Sequence, residues 1–187
     1  MSLFKKAPKI EQRFVEQKIF PAPKPKKEKL IQIYTCPQNA TFKGHKSIAI
    51  NVRNDPAALE GINHLKIENK NYVFDPATVD VPEGYASTTF EVNKYLFPFK
   101  GRLIVLKEYL RDEDTFLDVH VNDYYVGSIK VDGDRQMDLR QALQDQTLAS
   151  VHVRIETQFR NKVVEEKKKR IIETEEQFKV NLFYKLN

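Results

Sequence analysis

Four histidines are the side chains best suited to act as general acids, general bases or metal ligands, but they lie far apart in this sequence. No two of them have the spacing of a metal-binding pair such as H-x-x-x-H. They are His45, His64, His120 and His152. His120 and His152 fall on the polar phase of alternating segments, opposite valines, which predicts that both face solvent. The histidines therefore predict neither a catalytic site nor a metal site.

The acidic residues, the glycines and the one cysteine give no catalytic pattern either. Asp112, Glu113 and Asp114 precede a predicted strand without the offsets of a calcium loop, and we interpret them as a solvated turn. The six glycines are scattered, so there is no loop to cradle a phosphate, and Cys36 has no evident catalytic partner. A single cysteine also excludes an intrachain disulfide and favours a reducing compartment. We predict that the protein is not an enzyme and uses no cofactor or metal.

The basic residues, by contrast, are concentrated at the N-terminus. The 187 residues carry a formal net charge of +5, and residues 1–29 alone have a surplus of six positive charges. Prolines in this segment disfavour both helix and central strand, although Ile10–Phe20 could form a short amphipathic helix. We predict a basic, extended arm over residues 1–29 that docks on its own body or on a partner. Its predicted contact residues are Lys5, Lys6, Phe14, Phe20, Lys24, Lys26 and Lys27.

Aromatic residues beside basic ones form their densest cluster between residues 94 and 102. Aromatic rings stack on unpaired bases, and lysine or arginine neutralises phosphates. The same pattern is typical of a half-buried sheet edge, so both interpretations remain open. The cluster contains Lys94, Tyr95, Phe97, Lys100 and Arg102.

Most of the remaining chain alternates between apolar and polar residues with period two, which predicts strands. Asp55–Gly61 predicts a single helical turn, with Asp55 as the N-cap and Gly61 at its end, and Asp138–Asp145 predicts a second short helix capped by Asp138. Tight turns are predicted at Asn69-Lys70 and Asn122-Asp123. The predicted strands are 30–34, 47–52, 64–68, 71–75, 88–97, 102–107, 116–121, 124–131, 149–155 and 177–184.

These elements predict an α+β, mainly β fold. We expect a small barrel or sandwich of about eight short antiparallel strands with two short helices and the extended N-terminal arm. Residues 30–187 would form one β-rich domain, or two subdomains at 30–86 and 87–187. For residues 163–174 a charged helix and a long hairpin both fit, and we favour the hairpin because two apolar pairs bracket the charges. No apolar run approaches the length of a membrane span or a signal peptide, so we expect a cytoplasmic protein without membrane contact.

Residues 101–155 resemble the HIRAN domain, a small β-rich module that is found fused to DNA-remodelling ATPases and alone in bacteria and phages. The resemblance implies that a loop and an upstream basic-aromatic pair hold the end of single-stranded DNA. On this chain Lys94, Tyr95, Asp114 and Phe116 stand at those positions, although acids and a phenylalanine replace the proline, asparagine and tyrosine of the loop. The matching segments are Leu103–Leu106, Tyr109–Thr115, Leu117–Val121, Val126-Gly-Ser-Ile129, Leu139–Leu143 and Val151–Ile155.

Two functions follow as hypotheses. The first is a non-enzymatic, nucleic-acid-associated binding protein, with single-stranded DNA favoured. The arm would then supply electrostatic attraction, and the 94–102 cluster with the 112–116 loop would supply the contact. The alternative is a structural or adaptor subunit of a larger assembly whose arm docks on a neighbouring subunit, and the near-neutral charge of residues 30–187 favours it.

Overall fold

The computed structural model describes residues 11–15, 27–38, 43–68, 90–95 and 103–187. Within these ranges the chain is mainly β with two helices, which confirms the predicted α+β, mainly β class, but the strands do not close into a barrel. Two of the strands, β8 and β9, are long rather than short, with 19 and 18 residues. The elements are β1 Glu11–Phe14, β2 Glu28–Pro37, β3 Lys46–Ile50, α1 Pro56–Glu68, β4 Phe90–Tyr95, β5 Leu103–Arg111, β6 Asp114–Val121, β7 Tyr124–Lys130, α2 Asp134–Gln144, β8 Leu148–Glu166 and β9 Lys169–Leu186.

The chain divides into two compact units. Among the described residues, the first, here called the hairpin unit, contains β1, most of β4 and residues 157–177 of β8 and β9. The second, here called the core unit, contains β2, β3, α1, β5 to β7, α2, and the remaining parts of β8 and β9.

The core unit is built on a four-stranded antiparallel sheet in the order β2-β5-β6-β7. Alternate residues of its strands, such as Ile104, Leu106, Leu117 and Val119, are fully buried in the main apolar core, as period two requires. Strand β3 pairs antiparallel with the C-terminal part of β9, and both contribute to the same core. The turn predicted at Asn122-Asp123 joins β6 to β7, with Asn122 at a φ of 55°.

Helix α1 is longer than predicted, and the strand predicted at 64–68 is wrong because these residues complete the helix. The N-cap prediction is confirmed, since Asp55 Oδ1 accepts a hydrogen bond of 3.1 Å from the Ala58 amide. Ala58, Ile62 and Leu65 share one buried face at helical spacing, and the burial of this face stabilises the helix beyond Gly61. Gly61 does not end the helix. A Cβ there would lie 1.9 Å from the Tyr125 carbonyl oxygen, so the glycine permits close packing on β7.

Helix α2 begins earlier than predicted. Gly133 occupies the N-cap position, and Asp138, which we expected to cap the helix, lies in its second turn and pairs with Lys46 at 2.5 Å. The predicted apolar face is confirmed, because Leu139, Ala142 and Leu143 are buried. The turn predicted at Asn69-Lys70 and the strand predicted at 71–75 lie outside the described residues.

The hairpin unit confirms the hairpin that we favoured for residues 163–174. Strands β8 and β9 are joined by a turn at Lys167 and Lys168, whose φ angles of 48° and 66° are typical of a two-residue hairpin loop. Strand β1 pairs in parallel with β9, from Glu11 opposite Ile171 to Phe14 opposite Thr174. The amphipathic helix predicted across this segment is therefore wrong for residues 11–14. So short a helix is marginal alone, whereas β9 provides backbone partners for a strand.

Candidate functional site

The nucleic-acid-binding residues predicted from sequence are described only in part. Lys94 and Tyr95 lie at the end of β4, and of their side chains the structure gives no description. Asp114 and Phe116 lie in β6, beside the turn that joins it to β5. Phe14 is 57% exposed on β1, and Lys27 is exposed just before β2. Phe97, Lys100, Arg102, Lys5, Lys6, Phe20, Lys24 and Lys26 lie outside the described residues.

Phe116 is already stacked by an arginine. The guanidinium carbon of Arg111 lies 5.0 Å from the centre of the Phe116 ring and 5.3 Å from that of Tyr109. The guanidinium is held there by Asp118 at 2.5 Å and Glu28 at 2.9 Å. A base that stacked on this face of Phe116 would have to displace a cation–π contact and two ion pairs.

Asp114 is paired as well, because its carboxylate lies 2.9 Å from the Lys130 ammonium group. The preceding residues Asp112 and Glu113 form a tight turn with φ angles of 45° and 74°, which agrees with the solvated acidic turn expected from sequence. The segment from 109 to 116 is thus the end of the β5–β6 hairpin, and its Arg111 and Asp114 form ion pairs with residues outside the segment.

In the hairpin unit, the end of the hairpin carries a group of exposed lysines. Lys167, Lys168 and Lys169 are consecutive and exposed, and we call them the lysine turn. Lys162 on β8 is also exposed, so lysines outnumber glutamates by two among the described side chains from 162 to 169. Three consecutive exposed ammonium groups are a suitable surface for a polyanion.

Arg13 on β1 neutralises acids beside the lysine turn. Its guanidinium donates to Glu166 at 2.8 and 3.2 Å and to Glu173 at 3.0 Å. Glu166 directly precedes Lys167, so this pairing removes an adjacent carboxylate from competition for the lysines. The register places Glu11 opposite Ile171, and the chain therefore enters β1 at the turn end of the hairpin.

In the core unit, a groove of about 710 Å³ separates β2 from β8 and the C-terminal end of α2. Its walls are residues 32–37 of β2, residues 142–144 and 146 at the end of α2, and residues 148–151 of β8. At one end the two strands meet through a single parallel bridge from Gln38 to Val151. We call this the β2–β8 groove.

A buried ion-pair network lies beside the groove, since Tyr34 belongs to both. Glu108 is fully buried, accepts from Arg140 at 2.6 and 2.7 Å, and accepts from the Tyr34 hydroxyl at 3.0 Å. Burial, and next the hydrogen bond to Glu108, raise the pKa of Tyr34 to about 12. The phenol is therefore neutral at physiological pH and acts here as a hydrogen-bond donor.

The remaining chemically suitable side chains do not converge. The prediction that His152 faces solvent is wrong, because residues 151–153 of β8 are buried on both phases of the strand. His120 lies on the more exposed phase of β6, between the buried Val119 and Val121, and is half-buried. This burial, and next the charge of Lys107, lower its pKa. Burial raises the pKa of the Cys36 thiol, which lines the β2–β8 groove. Among the described residues no three His, Cys, Asp or Glu side chains are arranged to hold a metal ion.

The lysine turn and the β2–β8 groove were missed from sequence for different reasons. The run Glu165–Arg170 was recognised as charged, but only the pairing of β1 with β9 shows that Arg13 forms ion pairs with Glu166 and Glu173. The groove depends on the separation of β2 from β8, two segments that are more than a hundred residues apart in the chain.

Comparisons with known proteins add no relative. The chain matches no protein-family model, no curated protein and no solved structure. The HIRAN resemblance of residues 101–155 therefore rests on the motifs alone. Neither of the helices described here has the length and apolar character needed to cross a membrane.

Proposed function

We propose that this chain is a non-enzymatic, nucleic-acid-associated binding protein whose hairpin unit contacts the phosphate backbone. The observation that carries this proposal is the lysine turn, three consecutive exposed lysines at the end of a hairpin, with the neighbouring Glu166 held by Arg13. A hairpin that presents cations at its end can approach a groove or a single strand with little steric hindrance.

The N-terminal arm supports the same proposal through its charge and its point of attachment. Lys5, Lys6 and Lys9 precede Glu11 by two to six residues, and Glu11 lies at the turn end of the hairpin. Their charges would add to those of the lysine turn. Contact of this kind is with phosphates, so it is independent of sequence and weakens as salt rises.

The proposal is tested by replacing the lysine turn. We expect the triple variant Lys167→Gln, Lys168→Gln, Lys169→Gln to bind a fluorescent single-stranded DNA at least about tenfold more weakly at low salt than the unchanged chain. Gln removes the charge and keeps a similar chain length. The matched control replaces Lys43, Lys179 and Lys185, three exposed lysines of the core unit, by Gln. An equal loss in both triple variants would mean that net charge alone matters, and would contradict the assignment to the lysine turn.

A second candidate function, a structural or adaptor subunit, is favoured by a different observation. Leu30, Ile31 and Ile33 of β2 are 45%, 42% and 57% exposed on an end strand of the four-stranded sheet. Exposed apolar residues on a sheet edge are typical of a protein-binding surface. Size-exclusion chromatography of Ile31→Lys tests this function. If the chain assembles through this edge, the variant should no longer assemble and should elute later than the unchanged chain.

A further inference from the structure

The β2 strand has an edge that faces the β2–β8 groove. Strand β5 pairs with one side of β2 along its length, and among the described residues its other side meets only the bridge from Gln38 to Val151. In an antiparallel pair, alternate residues direct their amide and carbonyl groups away from the neighbouring strand. The edge of Gln32–Pro37 therefore offers main-chain donors and acceptors to whatever occupies the groove.

The opposite wall determines what kind of strand can enter. Residues 148–151 of β8 line the far side of the groove, and the bridge to Gln38 closes one end. A strand that belonged to a folded sheet would bring a neighbouring strand into β8. Strand β2 of a second copy carries β5 beside it, and that β5 would clash with β8. A lone extended segment has no neighbouring strand and avoids this clash.

The lining of the groove determines the chemistry of that segment. None of the described residues that line it is Lys, Arg, Asp, Glu or His, and several are apolar, among them Ile33, Leu143, Leu148 and Val151. A charged side chain placed here would lose hydration without gaining a partner of opposite charge among the described lining residues. The six residues of β2 on the wall span about 20 Å of extended chain, and a cavity of about 710 Å³ is large enough for a short peptide.

We propose that the β2–β8 groove binds an extended segment of about six residues from a partner protein, uncharged and free of proline, which pairs with the edge of β2 as an added strand. Uncharged β-branched residues would pack against the apolar part of the lining, which includes Ile33, Leu148 and Val151. Proline is excluded because it lacks the amide hydrogen that the added strand must donate. This proposal deepens the second candidate function and is independent of nucleic-acid binding at the lysine turn.

The test uses a phage-displayed library of random peptides of about twelve residues panned against the full chain. Enriched peptides are synthesised, labelled and titrated by fluorescence anisotropy. We expect them to share an uncharged, proline-free stretch, and proline placed in that stretch should weaken binding at least about tenfold. No enrichment, or binding indifferent to proline, would overturn the proposal.

Location is tested with a pair of matched substitutions. Ala149→Arg puts a charge on an exposed position of the groove wall, and Ala49→Arg makes the same change at an exposed strand position of β3 outside the groove. We expect Ala149→Arg to weaken peptide binding at least about tenfold and Ala49→Arg to leave it within about twofold. Two outcomes overturn the proposal. In the first, peptides bind Ala149→Arg normally but lose affinity for Ile31→Lys, which would make the β2 edge an interface outside the groove. In the second, the chain forms a dimer that Ala149→Arg dissociates, which would assign the groove to a second copy.

Discussion

The substitution Gly61→Ala separates local propensity from tertiary packing. Gly61 lies inside α1, where replacing glycine by alanine normally stabilises a helix by about 1 kcal/mol. Here the added Cβ would lie 1.9 Å from the Tyr125 carbonyl oxygen, whereas such contacts are essentially never shorter than 3.0 Å. Helix α1 and strand β7 would therefore have to separate by about 1 Å, and the close-packed core resists this movement.

The expected net effect is destabilisation. Overpacking costs about 1–3 kcal/mol, and we take the upper end because the clash is with backbone rather than with a flexible side chain. After subtraction of the helix-propensity gain of about 1 kcal/mol, the free energy of unfolding should fall by about 2 kcal/mol. For a chain of this size, this loss lowers the Tm by about 4–8 °C.

The assay is thermal unfolding followed by circular dichroism, with urea unfolding to confirm the free energy. Asn63→Ala is the control, since Asn63 is an exposed position of the same helix and should gain a few tenths of a kcal/mol to about 0.7 kcal/mol. A Gly61→Ala variant as stable as the unchanged chain, or more stable, would refute the packing argument and restore a purely local role for the glycine.

Three further predictions concern the buried network and the lysine turn. Arg140→Met should lower the free energy of unfolding by about 3 kcal/mol, because it leaves the buried Glu108 carboxylate without its cation. Adding Glu108→Leu to the same chain should recover most of this loss in thermal unfolding. Equal losses in the single and double variants would contradict this prediction. Because the pKa of Tyr34 is raised in the folded chain, the neutral phenol contributes its full stabilisation below about pH 10, and this contribution is lost as the pH rises toward 12. Over that pH window the Tm of the unchanged chain should therefore fall more steeply than the Tm of Tyr34→Phe. Replacing Lys167 by Asn and Lys168 by Gly should raise the free energy of unfolding by roughly 1 kcal/mol, since both positions have positive φ. The same double variant should bind DNA more weakly. A variant that gains stability and binds DNA normally would argue against the lysine turn as the contact.

Sequence periodicity was informative in strands that pack one face on the core. The alternation of Phe116–Val121 and Tyr124–Val131 predicted β6, β7 and their turn, because each strand packs one side on the core. The bracketing of charges by Val163-Val164 and Ile171-Ile172 likewise favoured the hairpin that the structure contains. In these segments local pattern and tertiary environment agree.

The misinterpreted segments are those whose environment is set by distant parts of the chain. Gly61 is typical of a helix end, and only the approach of Tyr125 explains why it stands mid-helix. The spacing of Ile10 and Phe14 is helical, but residues 11–14 pair with β9, about 160 positions away in the sequence. His152 alternates with valines, yet both phases of its strand are buried. No local pattern carries this information.

The proposed site was predictable in kind but not in position. A surplus of positive charge pointed to a polyanion, and that surplus lies in the arm. Phe116 and Asp114 were expected contacts, and both already have partners, Arg111 and Lys130. The lysine turn was visible as a charge run, but its exposure at a hairpin end and the pairing of Glu166 with Arg13 depend on the fold.

The most direct test of nucleic-acid association at the lysine turn is the salt dependence of binding. Affinity for a labelled single-stranded oligonucleotide is measured by anisotropy between about 50 and 200 mM salt for the full chain and for the Lys167→Gln, Lys168→Gln, Lys169→Gln variant. If the three lysines neutralise phosphates, the slope of log affinity against log salt should be shallower by about 2 in the variant, at about 0.7 per phosphate contact. Equal slopes for the two proteins would contradict the proposal, because the lysine turn would then release no counterions.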